Sequence, residues 1–134
     1  MTNLQEVVDK LLQALRGVSA VILFGSRARG DHKPWSDYDL LIIANFDEPY
    51  LERIKHLIDL LKDVKIPIEP HPYTLEEALS MLKRGNPTLI DALEEGIILY
   101  KGPGFTLIEE AYIRIKPKLR RTVTTIELID YNND

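Results

Sequence analysis

The chain has 134 residues, of which 45% are hydrophobic and 28% are charged. These proportions predict a globular domain with a hydrophobic core and exclude a disordered or fibrous chain. The formal net charge of −4 argues against nucleic acid as a partner, because phosphate binding requires a dense basic face. No cysteine is present, which excludes disulfides, thiol nucleophiles and thiolate metal sites.

The start of the chain lacks a basic segment followed by an apolar one, so we expect no signal peptide. The longest apolar run near it, Val18 to Phe24, is too short to cross a bilayer. These features predict a cytoplasmic protein that has no membrane partner.

Helical and strand patterns alternate in the first half of the chain. Apolar residues recur at helical spacing after Thr2 and again after Pro49. Gly17 is expected to end the first helix in a left-handed conformation. Two almost continuously apolar segments, 18–24 and 38–44, predict strands that are covered on both faces. The second helix is expected to bury a stripe formed by Leu51, Ile54, Leu57, Ile58, Leu61 and Val64.

The alternation continues in the second half. Residues 66–71 predict a strand, which their two prolines confine to a sheet edge. Thr74-Leu-Glu-Glu77 is a capping box that begins a helix, and a short helix follows from Asn86 to Glu95. Residues 97–101 predict the last strand. Strands alternating with helices are typical of an α/β or α+β sheet domain.

Gly102-Pro-Gly104 is the best candidate for a boundary. It divides the chain into a domain of residues 1–102 and a C-terminal extension of residues 103–134. Within the extension, residues 105–116 have a helical pattern that ends at a proline, and 122–131 is compatible with helix or strand. We expect the extension to form a partner or dimer surface. Its apolar residues are Leu107, Ile108, Ala111, Tyr112, Ile115, Val123, Ile126 and Ile129.

A glycine and a serine follow the first apolar strand. Gly25 allows a sharp turn of the backbone and a close approach of a ligand. The Ser26 hydroxyl and the free N–H groups of the next helical turn can bind an anion, and Arg27 and Arg29 add positive charge beside it. On its own, this dipeptide is equally compatible with an ordinary turn from strand to helix.

Two carboxylates stand at the start of the second apolar strand. Alternate side chains of a strand point to the same face, so we expect Asp37 and Asp39 to project together and Tyr38 to point the other way. Such carboxylates repel each other unless a cation lies between them, and Mg²⁺ binds carboxylate and phosphate oxygens in this way. The alternative is that Asp37 shapes the loop and Asp39 is solvated.

The two motifs follow one another closely, with ten residues, 27–36, between Ser26 and Asp37. Gly25-Ser26 followed by Asp37-Tyr38-Asp39 resembles the signature of the DNA polymerase β-type nucleotidyltransferase superfamily. The flanking Gly-Ser-Arg-Ala-Arg-Gly and Ser-Asp-Tyr-Asp-Leu are similar to its minimal nucleotidyltransferases, called MNT proteins. The resemblance covers roughly residues 18–101 and implies the nucleotidyltransferase fold, a mixed sheet of about four strands packed with helices.

The resemblance implies a nucleotide site in the first motif. Gly25 and Ser26 would hold the β- and γ-phosphates of a nucleoside triphosphate, with ATP as the expected substrate. Arg27 and Arg29 would neutralise its charge, although adjacent turn positions diverge and a surface position is the alternative for either.

The resemblance also implies a metal site. Asp37 and Asp39 would ligate Mg²⁺ or Mn²⁺, and a third carboxylate helps to activate the attacking hydroxyl in active members. Glu69 stands at the matching place, where aspartate is usual. Its extra methylene can displace a metal or base, so a solvated edge-strand residue is an equal alternative.

Three further side chains stand near these motifs. His71 shares the strand face of Glu69, but a surface position is the simpler expectation for it. Trp35 and Tyr38 flank the carboxylates and can stack on a base, although packing in the core explains Tyr38 as well.

MNT proteins are often paired with an α-helical HEPN partner in toxin–antitoxin modules. The resemblance therefore implies an antitoxin that transfers AMP to a tyrosine of a HEPN toxin. One alternative is an antitoxin that acts by binding through the C-terminal extension, with weak or no turnover. Another is nucleotidyl transfer to a small molecule or an RNA end. A homodimer is compatible with each of these functions.

Overall fold

The structure, a computed structural model, describes residues 2–121 and 126–128. Six α-helices and six strands lie in this part of the chain. The helices are α1 (Thr2–Ala14), α2 (Ser26–Arg29), α3 (Tyr50–Leu60), α4 (Leu75–Lys83), α5 (Pro87–Glu95) and α6 (Phe105–Ile115). The strands are β1 (Arg16–Phe24), β2 (Tyr38–Asn45), β3 (Ile68–Tyr73), β4 (Ile97–Lys101), β5 (Leu119–Arg121) and β6 (Ile126–Leu128).

The first four strands form one mixed sheet in the order β3-β2-β1-β4. β1 is antiparallel to β2 and β4, whereas β2 and β3 are parallel and are joined by the crossover helix α3. β3 contains Pro70 and Pro72 and lies at an edge, because proline cannot donate a ladder hydrogen bond. The mixed four-stranded sheet confirms the expected α+β class.

Helices cover both faces of the sheet, so the central strands are buried on both sides, as their apolar sequences predict. One face is covered by α1 and α3, which contribute Val7, Leu11 and Leu57, and by Leu61 directly after α3. The other is covered by α4, α5 and α6, which contribute Leu82, Leu89, Ile90 and Ile108. None of the helices in the described ranges is long and apolar enough to cross a membrane.

The buried side of α3 differs from the expected stripe. Leu51 and Ile58 are 69% and 56% exposed, whereas Arg53 is buried beside Leu57. Arg53 donates to both carboxylate oxygens of Glu77, at 2.7 and 3.2 Å. The stripe prediction was therefore wrong at two positions, because an arginine whose charge is paired shares the buried side of the helix.

Gly17 lies inside β1 and does not end a helix, since α1 finishes at Ala14. Its φ is +57°, and a Cβ at this position would collide with the side chain of Asn45. The pairing of β1 with β2 is irregular between Arg16 and Ala20. Gly17 has the left-handed conformation that was expected, but the conformation occurs where the pairing of β1 with β2 is irregular and not at the end of a helix.

The segment after Gly102 begins with a helix that packs on the domain. Phe105, Ile108 and Ile115 of α6 are buried in the same cluster as α4 and α5, whereas Leu107 is 49% exposed. A 3-10 turn, Lys116–Lys118, follows α6. The division into residues 1–102 and 103–134 stays a prediction. Val123 and Ile129, together with the side chain of Ile126, lie outside the described residues.

Candidate active site

The end of β1 and the beginnings of β2 and β3 meet at one edge of the sheet. Phe24 is the register partner of Asp39, and Asp39 is the register partner of Glu69. Register partners on neighbouring strands point to the same face of the sheet. The parallel pairing of β2 with β3 therefore brings Glu69, which is distant in sequence, beside Asp39.

Three potential metal ligands lie together at this edge. One ligand atom from each of Asp39, Glu69 and His71 is within 4.8 Å of the other two. His71 Nε2 is 3.1 Å from Asp39 Oδ1, which is hydrogen-bond distance. Asp39 and His71 are partly buried, with side chains 24% and 21% exposed, and Glu69 is exposed. The cluster is thus accessible from solvent.

The carboxylate of Asp39 is close enough to that of Glu69 to affect its protonation. The pKa of Glu69 is raised by its hydrogen bond with Asp39, by partial burial and by the negative charge of Asp39. A cation bound between the two carboxylates would offset this repulsion. Two carboxylates and an imidazole fit a divalent ion such as Mg²⁺ or Mn²⁺.

Asp37 lies just outside the cluster. β2 begins at Tyr38, as expected, so Asp37 is the exposed loop residue before it, and the projection of Asp37 together with Asp39 stays a prediction. The negative charge of Asp37 nevertheless contributes to the raised pKa of Glu69. Its role as a metal ligand stays a prediction. Tyr38 packs on the opposite face from Asp39, as expected.

Gly25 is in close contact with the cluster. Its φ is +77°, and a Cβ would stand 2.5 Å from Asp39 Oδ2. Any side chain here would displace that carboxylate, so the glycine is required by the approach of Asp39. Ser26 follows as the first residue of α2, where backbone N–H groups have no acceptor within the helix and remain available to a ligand.

Arg27 holds the loop that precedes Asp37. Its guanidinium donates to the carbonyl oxygens of Pro34 and Ser36 at 3.0 to 3.2 Å, and it lies 4.3 Å from the centre of the Tyr38 ring. The Arg27 guanidinium thus lies against the ring of Tyr38, whereas the side chain of Trp35, on the loop before Asp37, is 77% exposed. Nucleotide binding by Arg27 stays a prediction, and its contacts assign it to shaping this loop.

Arg29 points to other partners. Its guanidinium forms ion pairs with Asp31 at 3.1 Å and with Glu95 at 3.3 Å, and all three side chains are at least one-third exposed. Ion pairs between side chains this exposed contribute little to stability, so Arg29 can exchange its carboxylate partners for a phosphate. Nucleotide binding by Arg29 also stays a prediction.

His71 has a more central position than the sequence analysis assigned to it. Besides Asp39, it contacts Phe24, and the two ring centres are 4.9 Å apart in an edge-to-face arrangement. The spacing of Glu69 and His71 on one strand was a visible signal that they share a face. The parallel register with β2, which turns that face toward Asp39, was not visible.

A cavity of about 500 Å³ lies at the opposite end of β3. It is lined by Tyr50, Tyr73, Glu76, Glu77, Ser80, Met81, Arg84 and Asn86. The carboxylate cluster does not border this cavity. The cluster lies elsewhere on the surface, where the exposed side chain of Glu69 leaves it open to another macromolecule.

Residues 4–100 match the family of nucleotidyltransferase domains. The chain is 32% identical over 127 residues to MJ1305 of Methanocaldococcus jannaschii, named as a candidate protein adenylyltransferase, and the match covers 88% of this chain and 84% of the relative. MJ0604 of the same organism, named in the same way, is 43% identical over 49 residues, which are 36% of this chain and 49% of that protein.

Solved toxin–antitoxin structures have a similar fold. The crystal structure of a toxin–antitoxin with AMP-PNP matches with a TM-score of 0.54 and 16% identity, covering 85% of this chain and 83% of that chain. A complex of a tri-AMPylated HEPN toxin of Shewanella oneidensis with an MNT antitoxin matches with a TM-score of 0.50 and 14% identity, over 87% and 88% of the two chains. At these identities the likeness shows the fold alone.

Proposed function

The chain belongs to the family of nucleotidyltransferase domains, and we propose that it transfers AMP from ATP to a hydroxyl group of another protein. The observation that carries this proposal is the meeting of Asp39 and Glu69 beside Gly25 and the start of α2. Carboxylates next to free N–H groups can bind a metal–triphosphate complex. The name of MJ1305 supports a protein as the acceptor.

The residues of the site have separate tasks in this reaction. Ser26 and the first N–H groups of α2 bind phosphate oxygens. Asp37, Asp39 and Glu69 hold the divalent ion. When bound, such an ion neutralises charge on the triphosphate and activates the attacking hydroxyl.

The chemistry is a displacement at the α-phosphorus. The acceptor oxygen forms a bond to this phosphorus, the bond to the bridging oxygen breaks, and pyrophosphate leaves. Glu69 takes the proton of the hydroxyl, because a carboxylate within reach of the acceptor can act as a general base.

We further propose a tyrosine of a HEPN-like toxin as the acceptor, which would make this chain an antitoxin. The open position of the cluster supports an acceptor that is carried by a folded partner. The Shewanella complex, which contains an AMPylated HEPN toxin and an MNT antitoxin, supports the same assignment by analogy of fold.

An antitoxin that acts by binding alone is the second candidate. It is favoured by one observation, the glutamate at position 69 where aspartate is usual. The position of Glu69 beside Asp39 supports the catalytic function instead, because the longer side chain still brings a carboxylate oxygen within 4.8 Å of a ligand atom of Asp39.

The test uses the chain with the protein encoded beside its gene. Both are purified and incubated with ATP and Mg²⁺ or Mn²⁺, and the partner is analysed by mass spectrometry. The proposal predicts a mass increase of one or more AMP groups on tyrosine, which the Asp39→Asn variant does not produce. A matched variant, Asp63→Asn, removes an exposed carboxylate outside the site and should retain activity. An unmodified partner that is still neutralised would favour the binding antitoxin.

A further inference from the structure

We propose that His71 is a direct ligand of the ion held by Asp39 and Glu69, and that it makes this site prefer Mn²⁺ to Mg²⁺. The inference rests on the proposed function, since it concerns the same ion. It goes beyond that function by adding a nitrogen ligand to a site otherwise made of oxygens.

The distances suit a shared ion. In an octahedral shell with bonds of about 2.1 Å, neighbouring ligand atoms are about 3 Å apart. His71 Nε2 and Asp39 Oδ1 are 3.1 Å apart, and all three ligand atoms lie within 4.8 Å of one another. The hydrogen bond between Asp39 and His71 thus has the spacing of two adjacent ligands.

The imidazole is already oriented for this role. His71 stands between Pro70 and Pro72, whose rings restrict the backbone of β3, and it is paired with Leu41 of β2. Its ring contacts Phe24 edge to face, with an angle of 64° between the ring planes. Little side-chain freedom remains to be lost when an ion binds.

Ligand chemistry determines which ion is preferred. Mg²⁺ is a hard cation that retains waters and oxygen ligands, whereas Mn²⁺, although it also binds oxygen, is softer and accepts an imidazole nitrogen more readily than Mg²⁺ does. A nitrogen ligand therefore favours Mn²⁺. The competing role for His71 is that of a positioning residue, which holds Asp39 by a hydrogen bond and affects both ions equally.

The experiment measures metal binding in the absence of nucleotide. MnCl₂ and MgCl₂ are titrated by calorimetry into the unaltered chain, His71→Gln and Asp39→Asn, and thermal unfolding verifies that each variant is folded. His71→Gln should lose about tenfold or more in Mn²⁺ affinity and little in Mg²⁺ affinity. His32→Gln is the matched control, because His32 is an exposed histidine of the nearby loop.

A spectroscopic measurement on the unaltered chain needs no variant. Electron spin echo modulation of bound Mn²⁺ should contain the signal of a coordinated imidazole ¹⁴N, and His71→Gln should abolish it. Absence of this signal, or an equal loss of Mn²⁺ and Mg²⁺ affinity in His71→Gln, would overturn the inference. Failure of the proposed function gives a different result, in which Mn²⁺ binds with the nitrogen signal but AMP transfer does not occur.

Discussion

Asp39 and Glu69 are register partners in the parallel pair of β2 and β3, and one carboxylate oxygen of each lies within 4.8 Å of the other. The folded chain thus holds together two acidic groups that repel each other when both are ionised. A divalent cation bound between the two carboxylates removes this repulsion, and their negative charges attract such a cation. The arrangement therefore links metal binding, nucleotide binding and stability in ways that can be measured.

Metal and triphosphate should bind interdependently, because phosphate oxygens complete the metal shell. In calorimetric titrations, ATP affinity should fall by about tenfold or more when the divalent ion is removed with a chelator. The double variant Asp37→Asn with Asp39→Asn should bind ATP weakly with or without the ion. Identical ATP affinity under all of these conditions would refute the assignment of the site.

The substitution Gly25→Ala should remove metal binding. Its Cβ would enter the space of Asp39 Oδ2, and a side chain at φ +77° and ψ −158° strains the folded state, which lowers the free energy of unfolding by about 1–3 kcal/mol. Gly30→Ala is the control for a positive φ alone, because Gly30 is left-handed, with φ +87° and ψ 7°, and no atom lies within 4 Å of the added Cβ. Urea unfolding should show a larger loss of stability in Gly25→Ala, and only that variant should lose metal affinity. If metal titration shows equal losses of affinity in the two variants, the contact with Asp39 is not the cause.

The raised pKa of Glu69 should make stability depend on pH when no divalent ion is present. The pKa of Glu69 is raised in the folded chain, so between its ordinary value and its folded value the folded state binds more protons than the unfolded state. The free energy of unfolding should therefore fall as pH rises through this window. Glu69→Gln should lack this component, as measured by the urea midpoint between about pH 4 and 7. Midpoints of the two proteins that change in parallel with pH would contradict the coupling.

Trp35 provides an optical probe of the site, since it is the only tryptophan of the chain and is 77% exposed. The loop that carries it is held by Arg27 next to Asp37. If the nucleobase stacks on Trp35, saturating ATP with Mn²⁺ should quench its emission, with a midpoint that equals the calorimetric Kd. Asp39→Asn should abolish the quenching. Unchanged emission at saturation would exclude Trp35 from base binding.

Local features of the sequence predicted most of the elements. The capping box at Thr74 and Glu77 is present, and the strand at 97–101 has the expected bounds. Such signals depend on residues a few positions apart, so they can be recognised without knowledge of the tertiary structure. In the same way, the two motifs at Gly25-Ser26 and Asp37–Asp39 indicated that the candidate site lies where β1 ends and β2 begins.

Contacts between segments that are distant in the sequence could not be predicted in this way. The position of His71 depends on the register of β3 against β2, and no local pattern determines that register. Arg53 is buried because Glu77, which lies 24 residues further along the chain, pairs with it, and helical periodicity carries no sign of such a partner. The contacts of Arg27 with Pro34 and Ser36 were not visible either, since they depend on how the loop folds, and nucleotide binding by Arg27 stays a prediction.

Participation of Glu69 in catalysis can be tested by single-turnover transfer of AMP from ATP to the purified partner. Glu69→Ala is compared with the unaltered chain and with Glu69→Asp, at saturating Mn²⁺ and ATP, while ATP affinity is measured in parallel. We expect Glu69→Ala to retain most of its ATP affinity, because Asp37, Asp39 and His71 remain, but to lose transfer by about a hundredfold or more. Glu69→Asp should retain transfer. Undiminished transfer by Glu69→Ala would show that Glu69 has no part in catalysis.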